Sequence, residues 1–224
     1  MRYRPQVPPA VRLDRSFFAR ETTLVARAIL GKRLVSLVGG ERVAGDIVEV
    51  EVYKRTDSTS HAYRGETQRN RSMFAAPGTA YVYFTYGMHY CMNLTTAPAG
   101  TACLVRALIP RDGIEVMRAR RGMHHKPRDL CRGPGRLCAA LGIARSIDGI
   151  DTCADDALVF LEDAPEYSAR KIARSPRIGV SGLPKDIKAP LRFYVRDESH
   201  VSGPKVVKVD GASPPAPLRR RREE

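Results

Sequence analysis

The stretch Thr79–Leu94 (TAYVYFTYGMHYCMNL) constrains the chain more than any other. It is dense in aromatic and β-branched residues, and Gly87 at its midpoint is the only turn former. That pattern reads as a β-hairpin. A period of two recurs on both sides of it. RLVSLV and RVAGDIVEVEVY, between Arg33 and Tyr53, flank Gly39-Gly40 as a second hairpin, and residues 101–109 (TACLVRALI) read as a buried strand closed by Pro110. Residues 190–196 (PLRFYVR) return to alternation as a late strand.

Helical spacing occupies three places. Asp14 to Leu30 reads as one helix stopped by Gly31, Asp112–Arg121 as a helix capped by Asp112, and Pro134–Leu141 as a helix bounded by proline and glycine. Strands before and after helices, without a repeating βαβ rhythm, predict an α+β fold. We expect a single compact domain, a mostly antiparallel curved β-sheet with surrounding helices and a protruding β-hairpin. The 224 residues suffice for one such domain. It is assigned to residues 13–203, with a flexible N-terminal tail at 1–12 and a basic, proline-rich C-terminal tail at 204–224 that contains Arg219–Arg222.

Lysine and arginine number 38 against 24 aspartates and glutamates, a formal charge of +14. Such an excess favours a polyanionic partner, nucleic acid or an anionic membrane surface. No apolar run approaches the roughly 20 residues of a spanning helix, and residues 1–15 lack the apolar core of a secretory signal. The expected location is the cytoplasm and nucleoid of a bacterium or the nucleus of a eukaryote. Five cysteines without a CxxC pair read as reduced packing residues.

In Ile47–Tyr53 a period of two puts Val48, Val50 and Val52 on a core face and Glu49, Glu51 and Tyr53 on the other, neighbours about 7 Å apart. A carboxylate there could serve as a general base beside a partly dry cavity; an ordinary solvated acidic face remains open. The surrounding charge sharpens the contrast. Residues 46–57 carry a local −2, whereas residues 106–145 carry +7. Arg106 lies in an apolar strand with Leu104 and Leu108 on its face, so it needs a partner such as Glu49 or Glu51. Tyr81 and Tyr83 share one face of the long hairpin. Tyr86 sits at its bend before Met88, where an aromatic either packs on a neighbouring loop or wedges between base steps. Asn93 and His61 each read as pocket residues or as ordinary strand-end and loop residues.

These residues carry a resemblance. IVEVEVY at 47–53, His61, RNRSMF at 69–74, PGTAYVYFTYGMHYCMN at 77–93, LVRALIP at 104–110, CRGPGRLCAALGI at 131–143 and PLRFYVR at 190–196 together resemble the alkyladenine (methylpurine, 3-methyladenine) DNA glycosylase family over about Leu13 to Val201. The resemblance implies that Glu51 activates the attacking water with Glu49 in support, and that Arg106 helps hold that water. It implies that Tyr53, Tyr83 and His61 stack on an extruded base and that Asn93 crowds the amino group of guanine. Tyr86, with Met88 beside it, fills the vacated place in the duplex, and a main-chain carbonyl near Ile178–Val180 touches the water. It also implies excision of damaged purines such as 3-methyladenine, 7-methylguanine, hypoxanthine and ethenoadenine from double-stranded DNA, by a monomer without metal or cofactor.

Lys54 would lie on the valine face, away from Glu51, so a monofunctional hydrolase is expected rather than an enzyme that also nicks the strand. Two other readings compete. A non-catalytic nucleic-acid-binding protein would use Glu49 and Glu51 for structure alone. A carbohydrate glycosidase would use them as paired carboxylates, but the chain has no tryptophan and a strongly basic balance.

Overall fold

The computed structural model describes residues 11–204, so residues 1–10 and 205–224 of the two assigned tails, Arg219–Arg222 included, lie outside the described residues. Eight strands form one sheet: β1 (Arg33–Ser36), β2 (Val43–Tyr53), β3 (Ala80–Thr85), β4 (His89–Thr95), β5 (Ala102–Asp112), β6 (Val159–Glu162), β7 (Ile172–Ser175) and β8 (Arg192–Val195). The order is β3-β4-β5-β2-β1-β6, with β8 on β2 and β7 on β8. Every pairing of these strands is antiparallel. One edge of β2 is divided, since residues 43–46 pair with β1 and residues 49–51 with β8. Around the sheet lie α1 (Arg15–Phe18), α2 (Thr22–Ala28), α3 (Ile114–Arg121), α4 (Pro134–Leu141) and α5 (Pro184–Ile187). The architecture is α+β, as expected. No helix among the described residues is long and apolar enough to cross a membrane.

Alternation sorts the side chains of four neighbouring strands onto two faces. Val50 and Val52 of β2, Ala80 and Val82 of β3, Met92 and Leu94 of β4, and Cys103 and Val105 of β5 pack in the main core, with Val25 of α2 and Leu137 and Leu141 of α4. Each fully buried valine, leucine or methionine contributes ~1.5–3 kcal/mol of transfer free energy. The intervening positions face the other way. All five cysteines are free; Cys103, Cys131 and Cys138 pack in the main core, whereas the buried Cys91 lies on the other face.

Several local expectations fail for identifiable reasons. The helix expected over Asp14–Leu30 is two helices. Asp14 caps α1, and the Glu21 carboxylate accepts from Thr23 N–H and Leu24 N–H to start α2. The backbone between them pairs with Ala97 instead of continuing the helix. Pro110 does not end β5. It pairs with Gly45 beside a register shift, where a missing N–H is tolerated, and the strand runs on to Asp112. Asp112 therefore caps nothing. Its carboxylate accepts from Arg42 Nε at 3.1 Å, and Gly113 opens α3 at φ +67, where a Cβ would stand 2.6 Å from Arg42 O.

The register between β2 and β5 steps from Ile47↔Leu108 to Glu49↔Ala107 and then to Val50↔Val105. Val48 and Arg106 thus fall outside the paired register, as bulge residues do. Val48 leaves the main core for a smaller cluster with Ala107, Tyr194 and Val201. Leu108 for the same reason packs in the main core, away from Arg106.

Candidate active site

The second face of the sheet builds a row across five strands. Arg192 lies opposite Glu51, Glu51 opposite Leu104, Leu104 opposite Asn93, and Asn93 opposite Tyr81. Above this row opens a cavity of about 380 Å³, lined by Tyr53, Tyr81, Tyr83, Asn93, Leu104 and Arg106 and walled by the loops at 58–61 and 178–181. Its volume falls within the ~300–1,000 Å³ usual for small-molecule sites.

Glu51 is 0% exposed. Its Oε2 accepts from Tyr53 Oη at 2.9 Å and Arg106 Nη1 at 3.1 Å, and its Oε1 accepts from the main-chain N–H of Ile178 at 2.8 Å. Those three donors all belong to cavity-lining residues, so the carboxylate sits directly behind the cavity floor. A carboxylate offers about four acceptor positions. One on Oε1 is left after these bonds. The segment at Ile178–Val180, from which a carbonyl is expected to touch the water, meets Glu51 itself through the Ile178 N–H.

Arg106 divides its guanidinium between two carboxylates, with Nε donating to Glu49 Oε1 at 3.1 Å and Nη1 to Glu51. Burial alone would lower its pKa, but Glu51 and Glu49 outweigh that and raise it. Burial first, and then the Glu51 charge, push the Tyr53 hydroxyl well above its ordinary pKa. Burial likewise raises Tyr83, and Tyr81 to about 12. The three phenols are therefore neutral rings at neutral pH.

His61 stands at the wall with Nδ1 2.8 Å from Tyr81 Oη and its ring edge-on to Tyr83, centroids 4.6 Å apart. Partial burial and then the Arg69 charge hold its pKa below the ordinary imidazole value. Its main-chain carbonyl accepts from Asn70 Nδ2 at 2.8 Å. The Asn93 amide donates to Tyr81 O at 3.0 Å from a buried position on the floor.

At the rim, Tyr86 is 79% exposed and Met88 69%. Met88 N–H donates to Thr85 O, closing a turn with Tyr86 at φ +51 and Gly87 at φ +66. A left-handed conformation costs a non-glycine residue about 1–2 kcal/mol. Below the tip, Phe84 and Tyr90 pack their rings 5.0 Å apart across the two strands. Lys54 points elsewhere, its Nζ 2.9 Å from Glu21.

The structure thus brings Tyr53, His61, Tyr83, Asn93, Arg106 and Tyr86 to one cavity, with Glu51 behind its floor and Met88 next to Tyr86 at the turn. Sequence reasoning missed two buried arginines. Arg177 donates to Val52 O, Asp57 and Asp186 O and lies over the Tyr53 ring, tying the two loop walls to the end of β2. Arg192 donates to Glu49 Oε1 at 2.6 Å, to Ser175 Oγ, and to the carbonyls of Ser202 and Pro204. For Arg192 the available signal was an arginine inside an otherwise apolar strand block, PLRFYVR, the same signal that marked Arg106; Arg177, in SPRIGV, carries none.

Comparison with known proteins gives a consistent picture. A model of the family described as Methylpurine-DNA glycosylase (MPG) matches residues 16–199. Among curated relatives, one from Methanocella arvoryzae is 44% identical over 193 residues, covering 85% of this chain and 95% of its own length. One from Mesorhizobium japonicum is 45% identical over 195 residues, with 86% and 91% covered, and one from Burkholderia lata is 45% identical over 204 residues, with 89% and 95% covered. Each carries the name "Putative 3-methyladenine DNA glycosylase".

Proposed function

The chain belongs to the methylpurine-DNA glycosylase family, a family of hydrolases that act on N-glycosyl bonds in DNA, and from that premise we propose how this cavity does so. The enzyme takes damaged purines of the 3-methyladenine, 7-methylguanine, hypoxanthine and ethenoadenine class out of duplex DNA, hydrolyses the bond to the sugar and leaves an abasic site. The observation that carries this reading is Glu51, fixed by three hydrogen bonds from cavity-lining residues just behind the floor of an aromatic cavity whose rim bears an exposed, strained tyrosine.

A base inside a duplex is out of reach, so it must be extruded at the cost of unstacking. Tyr86, with Met88, occupies the place the base leaves. The base enters the cavity between the rings of Tyr53, Tyr83 and His61, where neutral phenol faces favour a purine that alkylation has made cationic. Asn93 on the floor crowds the exocyclic amino group of ordinary guanine.

Water lies against the remaining acceptor position of Glu51 Oε1. Its oxygen forms the new bond to the anomeric carbon as the bond to the purine nitrogen breaks, and Glu51 takes the proton. Arg106 orients the carboxylate and, with it, the water. An alkylated cationic purine departs neutral without further protonation, and Glu51 passes its proton to solvent; hypoxanthine or ethenoadenine departs as the anion and takes up that one proton, so that Glu51 is again a carboxylate. The ion pair of Lys54 with Glu21 keeps that amine from the sugar, which favours simple hydrolysis without strand cleavage. The enzyme acts as a monomer.

Single-lesion duplexes test this reading. Free base and an intact strand bearing an abasic site are expected, and borohydride should trap no covalent adduct. Glu51→Gln should retain duplex binding and lose base release. Unchanged release by that variant would remove Glu51 from the mechanism, whereas duplex binding with no base release by the wild type would leave a binding protein as the better reading of these carboxylates.

A further inference from the structure

We propose that Arg192 is a positioning residue for this reaction: it neutralises Glu49, so that Arg106 is left to hold Glu51 ionised and aimed at the water. The inference rests on the reading of Glu51 as the base. Four charged side chains form one buried cluster, Glu49 and Glu51 with Arg106 and Arg192. Arg192 lies directly across from Glu51 in the sheet, yet its Nε reaches diagonally to Glu49 Oε1 at 2.6 Å, a distance a long side chain spans between adjacent strands. The Ser202 N–H closes the other oxygen of Glu49 at 2.6 Å. Arg106 Nε meets the same Oε1 at 3.1 Å, leaving Nη1 for Glu51.

The cluster is neutral only with both arginines in place. Other groups near Glu51 add little charge. Tyr53 on β2, Tyr83 on β3 and Cys91 on β4 have raised pKa values and stay protonated, and His61 at the wall stays neutral. Arg177, over Tyr53, is paired with Asp57. Without Arg192, a single guanidinium would face two buried carboxylates. Arg106 would turn toward Glu49, and Glu51 would take up a proton at higher pH because a cation favouring its ionised form is gone.

Arg192 also ties Ser175, Ser202 and Pro204 together, so the test must separate charge from scaffolding. Single-turnover excision is followed against pH for the wild type, Arg192→Met, Glu49→Gln and the double variant. Arg192→Met should move the acid limb to higher pH, and on that limb the rate should fall on the order of ten-fold for every ten-fold change in proton concentration through which it moves. The rate should recover on the alkaline side, and affinity for a duplex with an abasic analogue should be unchanged. Glu49→Gln leaves excess positive charge and should move the limb to lower pH. The double variant restores neutrality and should bring the limb back toward the wild type, which a merely structural loss would not do.

An unmoved limb in folded Arg192→Met, or a double variant as impaired as the single one, overturns the proposal. If Arg192→Met does not fold, the direction in which Glu49→Gln moves the limb decides, and an unmoved limb there overturns it. Glu51→Gln run alongside keeps the two readings apart. Full activity of that variant refutes the base, whereas its inactivity together with unmoved limbs refutes only Arg192.

Discussion

The floor of the cavity and the tip of the hairpin are built on opposite terms. On the floor, Glu51 is shut from bulk solvent and held by donors from three parts of the chain, with Glu49, Arg106 and Arg192 balancing charge behind it. At the tip, Tyr86 stands in solvent on a left-handed backbone. The first arrangement preorganises a group for chemistry, where small displacements cost rate. The second keeps a ring free to meet something that the isolated chain does not supply. Backbone strain at an exposed aromatic is a reason to look for such a partner.

The contrast makes quantitative demands. Glu51→Gln should lower the single-turnover rate by on the order of 10²–10⁴, the range usual for a general base, with duplex affinity nearly unchanged; a fall in affinity as large as the fall in rate would erase the distinction between floor and tip. Next in size is Glu49→Ala, which leaves the buried Arg192 without its carboxylate while Arg106 keeps Glu51, and should cost about 3–5 kcal/mol in denaturant unfolding. Tyr86→Gly should leave stability within about 1 kcal/mol, since relief of left-handed strain is offset by added freedom in the unfolded chain. The same variant should slow excision from duplex DNA by on the order of ten-fold, an amount fitting the loss of a group whose unstacking role is worth a few kcal/mol at most. Comparable destabilisation at the tip would make the hairpin scaffold rather than probe.

The smallest effect belongs to the wall. The folded His61 has a pKa below the ordinary value of 6.5. The unfolded chain therefore binds a proton that the folded chain resists. This contribution to stability is complete above about pH 6.5 and is lost as pH falls through the folded-state value. Melting temperature against pH should accordingly be flatter on the acid side for His61→Gln than for the wild type.

Much of this was legible in the sequence because period two is a local signal. The pattern of Ile47–Tyr53 put Glu51 and Tyr53 on one face, and the aromatic density about Gly87 marked the tip; the family resemblance then joined these to His61, Asn93 and Arg106, and the comparisons establish the family. What stayed hidden depends on partners far along the chain. The break between α1 and α2 comes from pairing with Ala97, and the carboxylate that Arg192 answers lies 143 residues away. Val48 was misplaced because a bulge obeys its partner strand, not its neighbours in sequence. The strands β6 (VFLE) and β7 (IARS) show no alternation of apolar and polar residues, so no period declares itself there.

Beside the cavity, four strands turn alternate residues toward it and the residues between them toward the main core. Inserting or deleting one residue within β2, β3, β4 or β5 would exchange the two sets along that strand, burying tyrosines and carboxylates in the apolar layer and presenting valines to DNA. The sheet behaves like a text with a two-letter frame: substitutions at Cys91, Asn93 or Leu104 reshape the cavity alone, but a frame shift would erase fold and site together.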